Sequence, residues 1–217
     1  MALLLDNFTG SAGALSGHTA DTGQNWAGSD ATAVLDGSGR LYCNTSNNSP
    51  LLYSNAVVPQ ANMTMDIAFT IGTLPSPATY DYTDILQIAL WGRYNYRIEL
   101  HSRDNTHSNT PRLYVSASTG GLYVGDIAAV ASSAHTLRFN FVMGTKIDVI
   151  LDSVTVATAT APTFNVGDQT LAGYFDRNQD AGAPNQSAML FIDSITINGV
   201  TPVPFWNSYT NCFEVDS

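Results

Sequence analysis

Chemistry in this chain would have to start from its carboxylates. Eighteen residues are acidic, yet only two, Glu99 and Glu214, are glutamates. Glycoside hydrolysis needs two carboxyl groups flanking the scissile bond, one kept protonated by a raised pKa. The available aspartate pairs are Asp81/Asp84, in a tyrosine-rich segment, and Asp148/Asp152, which straddles an alternating run and reads as solvated. Nucleophilic catalysis fares no better. His18, His101, His107 and His135 are scattered, and no Gly-x-Ser-x-Gly elbow is present. His135 opens an alternating run and reads as a turn or surface histidine. Phosphate-cradling glycine loops are absent. The expectation is a protein that is not an enzyme.

Binding chemistry is better represented. Asp176, Asn178 and Asp180 place oxygen side chains at positions 1, 3 and 5 of a calcium-loop start, although Ala181 stands where such a loop needs glycine. Calcium is the one cofactor these residues suggest; the other reading is a polar hairpin loop. Tyr80 and Tyr82, flanked by Pro75 and Pro77, are candidates for an exposed aromatic surface that stacks a sugar or meets another protein. After Gly199 the segment TPVPFWNSYTNCFEVDS is aromatic with two prolines. Phe205, Trp206, Tyr209 and Phe213 are its candidate anchors, because interface hot spots favour large aromatics. Cys43 and Cys212 lie far apart and lack the paired spacing of zinc motifs.

The charge balance narrows the partners. Across 217 residues the net charge is −10, and Lys146 is the only lysine. A nucleic-acid binder needs a basic stripe to displace counterions, and anionic membranes are disfavoured for the same reason. Charged residues make up 12%, about half the usual share. The opening MALLLDNFTG lacks a basic n-region, so no signal peptide is expected. No apolar run approaches the roughly 18 residues of a membrane span.

The elements that must position these residues are strands. In NMTMDIAFTI, Met63, Met65, Ile67, Phe69 and Ile71 alternate with Thr64, Asp66 and Thr70. YNYRIEL sets Tyr94, Tyr96, Ile98 and Leu100 inward against Asn95, Arg97 and Glu99; TLRFNFVM and KIDVIL repeat the pattern. Turn signals such as Asp36-Gly37, Met143-Gly144-Thr145 and Gly120-Gly121 separate the runs. Segments 11–31, 74–84 and 176–186 read as irregular, and Ala128 to His135 could form a short helical turn. The whole predicts an all-β, two-sheet antiparallel jelly-roll sandwich over 1–199, followed by an aromatic C-terminal arm over 200–217.

The run HTLRFNFVMGTKIDVILDSVTVATATAP, His135 to Pro162, resembles the central hairpin of concanavalin A-like and laminin-G-like domains, with Asp152-Ser153 where they commonly have Asp-Gly. MLFIDSITING resembles their last strand, which pairs with the first. The start, LLLDNFTGSAGALSGHTADTGQNW, resembles such domains in tailed-phage virion proteins. This chain lacks the Glu-x-Asp-x-(x)-Glu strand of the β-glucanase members. The resemblance implies a virion protein made in the host cytoplasm. The expected role is a capsid decoration (cement) protein that contacts the major capsid protein or other virion proteins, with a homotrimer as one arrangement. The alternative is a carbohydrate-binding module, or a tail or fibre component that adsorbs to host-surface glycan.

Overall fold

The computed structural model describes residues 2–22, 25–27, 33–44, 49–53, 60, 62–75, 81–90, 94–104, 110–118, 122–160, 171–179, 187–199, 205–207 and 212–214. Two antiparallel sheets carry the expected sandwich. One has nine strands: β1 (Ala2–Asp6), β2 (Gly13–Ala14), β4 (Ala33–Leu35), β5 (Leu41–Cys43), β7 (Asn62–Ile71), β12 (Ala134–Val142), β13 (Lys146–Leu151), β14 (Val154–Ala159) and β16 (Leu190–Gly199). The other has seven: β3 (Trp26–Ala27), β6 (Ser49–Tyr53), β8 (Tyr82–Leu90), β9 (Tyr94–Asp104), β10 (Thr110–Ser118), β11 (Leu122–Ala128) and β15 (Leu171–Gln179). As the jelly-roll reading requires, the first strand pairs with the last long one, Leu4 opposite Ile197.

Period-2 alternation places the core. In β7 every second residue from Met63 to Ile71 is buried, and the residues between them are only partly so. Register aligns these residues across strands: Phe139 of β12 sits opposite Met65 of β7 and Val149 of β13. On the other sheet Leu86, Ile98, Leu100 and Phe175 are almost wholly buried. Tyr96 joins the two layers, its ring 4.8 Å from that of Phe139 and edge-on to Phe141 at 5.2 Å. Such aromatic pairs contribute about 0.5–1.5 kcal/mol beyond their area burial.

Polar groups also cross the core. Asp84 of β8 is 0% exposed and Arg177 of β15 is 4% exposed. Arg177 donates to Asp84 from Nε at 2.8 Å and from Nη2 at 3.3 Å. The same carboxylate accepts the backbone N–H groups of Met189 and Leu190, at 2.8 and 3.0 Å. Leu190 begins β16 of the opposite sheet, so one side chain ties both layers. A second buried carboxylate, Asp6, accepts from Phe8 N at 2.7 Å and Trp26 Nε1 at 2.5 Å and lies 3.1 Å from His18 Nε2, holding the N-terminal segment on the core.

Two local expectations are corrected. Between Ala128, the end of β11, and Ala134, the start of β12, residues 129–133 form a turn with Ser132 at φ 61°, and no helix occurs among the described residues. Residues 176–179 belong to β15 rather than to a loop, because alternation sends Arg177 inward to Asp84. Within the C-terminal arm, β17 (Phe205–Asn207) pairs with β18 (Cys212–Glu214) as a hairpin, Trp206 opposite Phe213. At the β13–β14 turn both Asp152 (φ 49°) and Ser153 (φ 68°) adopt the left-handed conformation that Asn-Gly or Asp-Gly pairs favour, so serine takes the glycine place at some conformational cost.

Removing the central carboxylate should be severe. Asp84→Ala takes the carboxylate away from a buried guanidinium and two backbone donors, which costs about 3–5 kcal/mol. Asp66→Ala breaks only the exposed Arg138 pair on the outer surface and should cost less than about 1 kcal/mol. Urea denaturation of the two variants checks the difference.

Candidate functional site

The residues that alternation sends away from the core on the seven-stranded sheet form its outer face. Register sets them in rows. Tyr174, Gln87, Arg97 and Ser116 stand abreast on β15, β8, β9 and β10; Asp176, Ile85, Glu99 and Tyr114 form the next row; Asn178, Thr83, His101 and Arg112 form the third. Thr83 and Ile85 point outward yet are each only 7% exposed. Their neighbours on the adjoining strands cover most of their surface.

His101 is the hub. Its Nδ1 lies 3.2 Å from Thr83 Oγ1 and 3.4 Å from Asp81 Oδ2, and its Nε2 lies 3.3 Å from Glu99 Oε2. The Tyr114 ring meets it edge-on at 5.0 Å. Arg97 Nη2 donates to the other Glu99 oxygen at 2.8 Å. Arg97 Nε is buried with no hydrogen-bond partner among the described residues. Burial disfavours a charged imidazole, but hydrogen bonds and negative charge from Asp81 and Glu99 outweigh it and lift the His101 pKa from 6.5 to about 9. The His101 hydrogen bond, opposed by burial and aided by Arg97, holds Glu99 below its ordinary 4.5.

At neutral pH the site therefore presents an imidazolium, a guanidinium and an ionised carboxylate beside two half-buried tyrosines. His101 can donate a proton or balance developing negative charge, and Glu99 can accept hydrogen bonds from hydroxyls.

A second constellation also falls into place. Ser133 Oγ lies 2.9 Å from His135 Nε2, and His135 Nδ1 lies 2.7 Å from Asp152 Oδ2. This has the order of a nucleophilic triad. However, the Ser133 hydroxyl donates to the Val130 carbonyl at 2.5 Å, which engages the proton a base would remove. Asp152 Oδ1 also accepts from Thr136 N at 2.9 Å, and His135 stacks on the core ring of Phe69 at 5.3 Å. These contacts read as a clip joining two turns at the sandwich edge. A cavity of about 500 Å³ on the outer face of the nine-stranded sheet is lined by Asp66, Thr136, Arg138 and Ser194. Its one charged pair, Arg138 with Asp66, is mutually neutralised and solvent-facing.

The sequence-predicted binding residues fare differently. Tyr82 is corrected to core: it shares the inward parity of Asp84, is 4% exposed, and its N–H donates to Ser102 Oγ at 3.0 Å. Asp176 and Asn178 lie on β15, where the Asn178 amide donates to Asp176 Oδ2 at 2.9 Å, so that oxygen is already engaged. Tyr80, Asp180 and Tyr209 lie outside the described residues, and for Phe205, Trp206 and Phe213 only the backbone is described. The candidate-site residues that the sequence did not single out are Arg97, Glu99, His101 and Tyr114. The alternation of YNYRIEL already sets Arg97 and Glu99 on one face, but their partners come from β8 and β10.

No family model matches the chain, and no curated protein matches it. Solved structures do. A glycosyl hydrolase family protein from Mycobacterium fortuitum is 15% identical over 91% of this chain and 99% of its own, with a TM-score of 0.56. β-Agarase A from Zobellia galactanivorans is 13% identical over 91% of both chains, at 0.57. An alginate lyase in complex with alginate tetrasaccharide is 12% identical over 91% of this chain and 96% of its own, at 0.56. These likenesses establish the concanavalin A-like jelly-roll fold and bring no phage or capsid context. They also correct the expectation of a non-enzyme. Chains named as a hydrolase, an agarase and a lyase share this architecture over nine-tenths of its length, so a missing glucanase-type glutamate strand does not rule activity out.

The raised His101 pKa makes a signed prediction. The folded state holds this proton more tightly than the unfolded chain, so the contribution to stability is complete below about pH 6.5 and is lost as pH rises through about 9. The melting temperature should fall from about pH 7 to about pH 10, and His101→Gln should flatten that slope; equal slopes in the two proteins would contradict the assignment.

Proposed function

We propose that this chain is a carbohydrate-engaging jelly-roll domain that receives a glycan on the outer face of its seven-stranded sheet, around His101. One observation carries the reading: Arg97, Glu99, His101 and Tyr114 are brought together from adjacent strands on one outer face, as a hydrogen-bonded charged group beside an aromatic ring. Sugar rings ask for this combination of aromatic surface and fixed charged donors and acceptors. The structural neighbours named for action on agar or alginate support a glycan over a protein ligand. Of the two roles expected from sequence, the glycan-binding alternative therefore has support in the fold. The capsid-decoration role rests on the N-terminal segment and the aromatic arm alone.

Glycan-array binding of the purified chain tests the reading. His101→Ala and Tyr114→Ala should each weaken retention at least about tenfold, the scale of one charge-assisted contact or one aromatic contact. Arg138→Gln on the opposite sheet should not change it. An array with no bound glycan, or binding indifferent to both site substitutions, would refute the proposal.

A further inference from the structure

We infer that His135 is held as the imidazolium, and that its ring is a pH-operated latch on the crossover between the two sheets. The basis is a count of protons. Ser133 Oγ lies 2.5 Å from the Val130 carbonyl oxygen and 2.9 Å from His135 Nε2. A hydroxyl carries one proton, and two oxygens this close need that proton between them. The Ser133 hydroxyl therefore donates to Val130, and its contact with Nε2 requires the ring nitrogen to donate. On the other side of the ring, Nδ1 lies 2.7 Å from Asp152 Oδ2, while Oδ1 of that carboxylate accepts from Thr136 N at 2.9 Å. A carboxylate only accepts, so Nδ1 donates as well. Both ring nitrogens carry protons, which is the charged form of histidine.

Among the described residues, Asp152 on the β13–β14 turn is the charged group that meets this ring. Residues 129–133 and 153–159 carry no charge. The inward side of β7 presents Phe69, on which the ring stacks, between Ile67 and Ile71. Asp66 and Arg138 pair on the outer side of β7 and β12, and Lys146 and Asp148 pair on the outer side of β13. Asp126 of β11 stands opposite Tyr114, on the outer face of the other sheet.

The latch joins two strained turns. β11 belongs to the seven-stranded sheet and β12 to the nine-stranded one, so residues 129–133 carry the chain between layers. The ring ties this crossover to the β13–β14 turn. Ser132 in the first turn (φ 61°), and Asp152 (φ 49°) and Ser153 (φ 68°) in the second, hold a left-handed conformation that costs any residue with a Cβ. A neutral imidazole has one N–H for the two acceptors. Loss of the proton as pH rises therefore gives up either Asp152 or Ser133. The latch is closed at lower pH and opens as pH rises.

Two NMR readings on the full chain test this. The first is the nitrogen shifts of the His135 ring, identified by their loss in His135→Gln. At neutral pH both nitrogens should show the protonated shift. The second is amide exchange across the pH titration of that ring. Thr136 N donates to Asp152 Oδ1 and Asp152 N donates to the Thr136 carbonyl, so these two amides report whether the turns are joined. As the ring loses its proton, their exchange should rise at least about tenfold beyond the increase that hydroxide catalysis gives every amide, the scale of one charge-assisted hydrogen bond. Ser133→Ala, at a half-exposed position, removes one of the two acceptors. A neutral ring can then keep Asp152, and the extra rise should disappear. An unprotonated ring nitrogen at neutral pH would overturn the assignment of charge. Exchange that follows hydroxide catalysis alone through the ring titration would overturn the latch. An extra rise of the same size in Ser133→Ala would overturn the proton count on which both rest.

Discussion

A single buried carboxylate organises the interior of this sandwich. Asp84 is enclosed on all sides, and its charge is stabilised by one guanidinium and two backbone donors. An ion pair taken out of water returns little net stability, since desolvation offsets most of the attraction. Its value lies in directionality. The pair joins β8 to β15 within one sheet, while the Met189 and Leu190 amides anchor the start of β16 in the other. Sliding one sheet over the other by a residue would orphan a charge, whereas the surrounding Leu, Ile and Phe contacts tolerate small shifts.

That constraint reaches the site through parity. Fixing Asp84 inward fixes Thr83 and Ile85 outward, and β8 then sets the register of β9, with Thr83 opposite His101 and Ile85 opposite Glu99. The position of the imidazole between Asp81 and Glu99 is therefore downstream of a salt bridge on the other face of the same sheet. Core and surface are two faces of one alternation, and the core face decides the phase of both.

The fold and the chemistry of this chain point in complementary directions. The sandwich is shared with proteins named for action on several polysaccharides, at an identity so low that only the architecture carries over. On the outer face of one sheet this chain gathers a histidine, an arginine and a glutamate, and the glutamate is held below its ordinary pKa by the other two. Function on such folds lives in the site rather than in the scaffold.

The sequence by itself determined the all-β class, the long strands β7, β12 and β13, and the inward set of each, because a half-buried strand writes its phase as a repeat of two. It also determined that Arg97 and Glu99 share a face, from YNYRIEL alone. It misread 176–179 as loop, since Asp, Arg, Asn and Gln resemble turn composition until Arg177 is given Asp84, 93 residues away, as a buried partner. It misread Tyr82 as exposed for a related reason: its flanking prolines suggested a loop, and only pairing with β9 and β15 shows that the strand begins there. The gathering of Asp81, Thr83, Glu99, His101 and Tyr114 was decided by tertiary structure. Register between strands depends on interactions distant in sequence, and no local pattern records it.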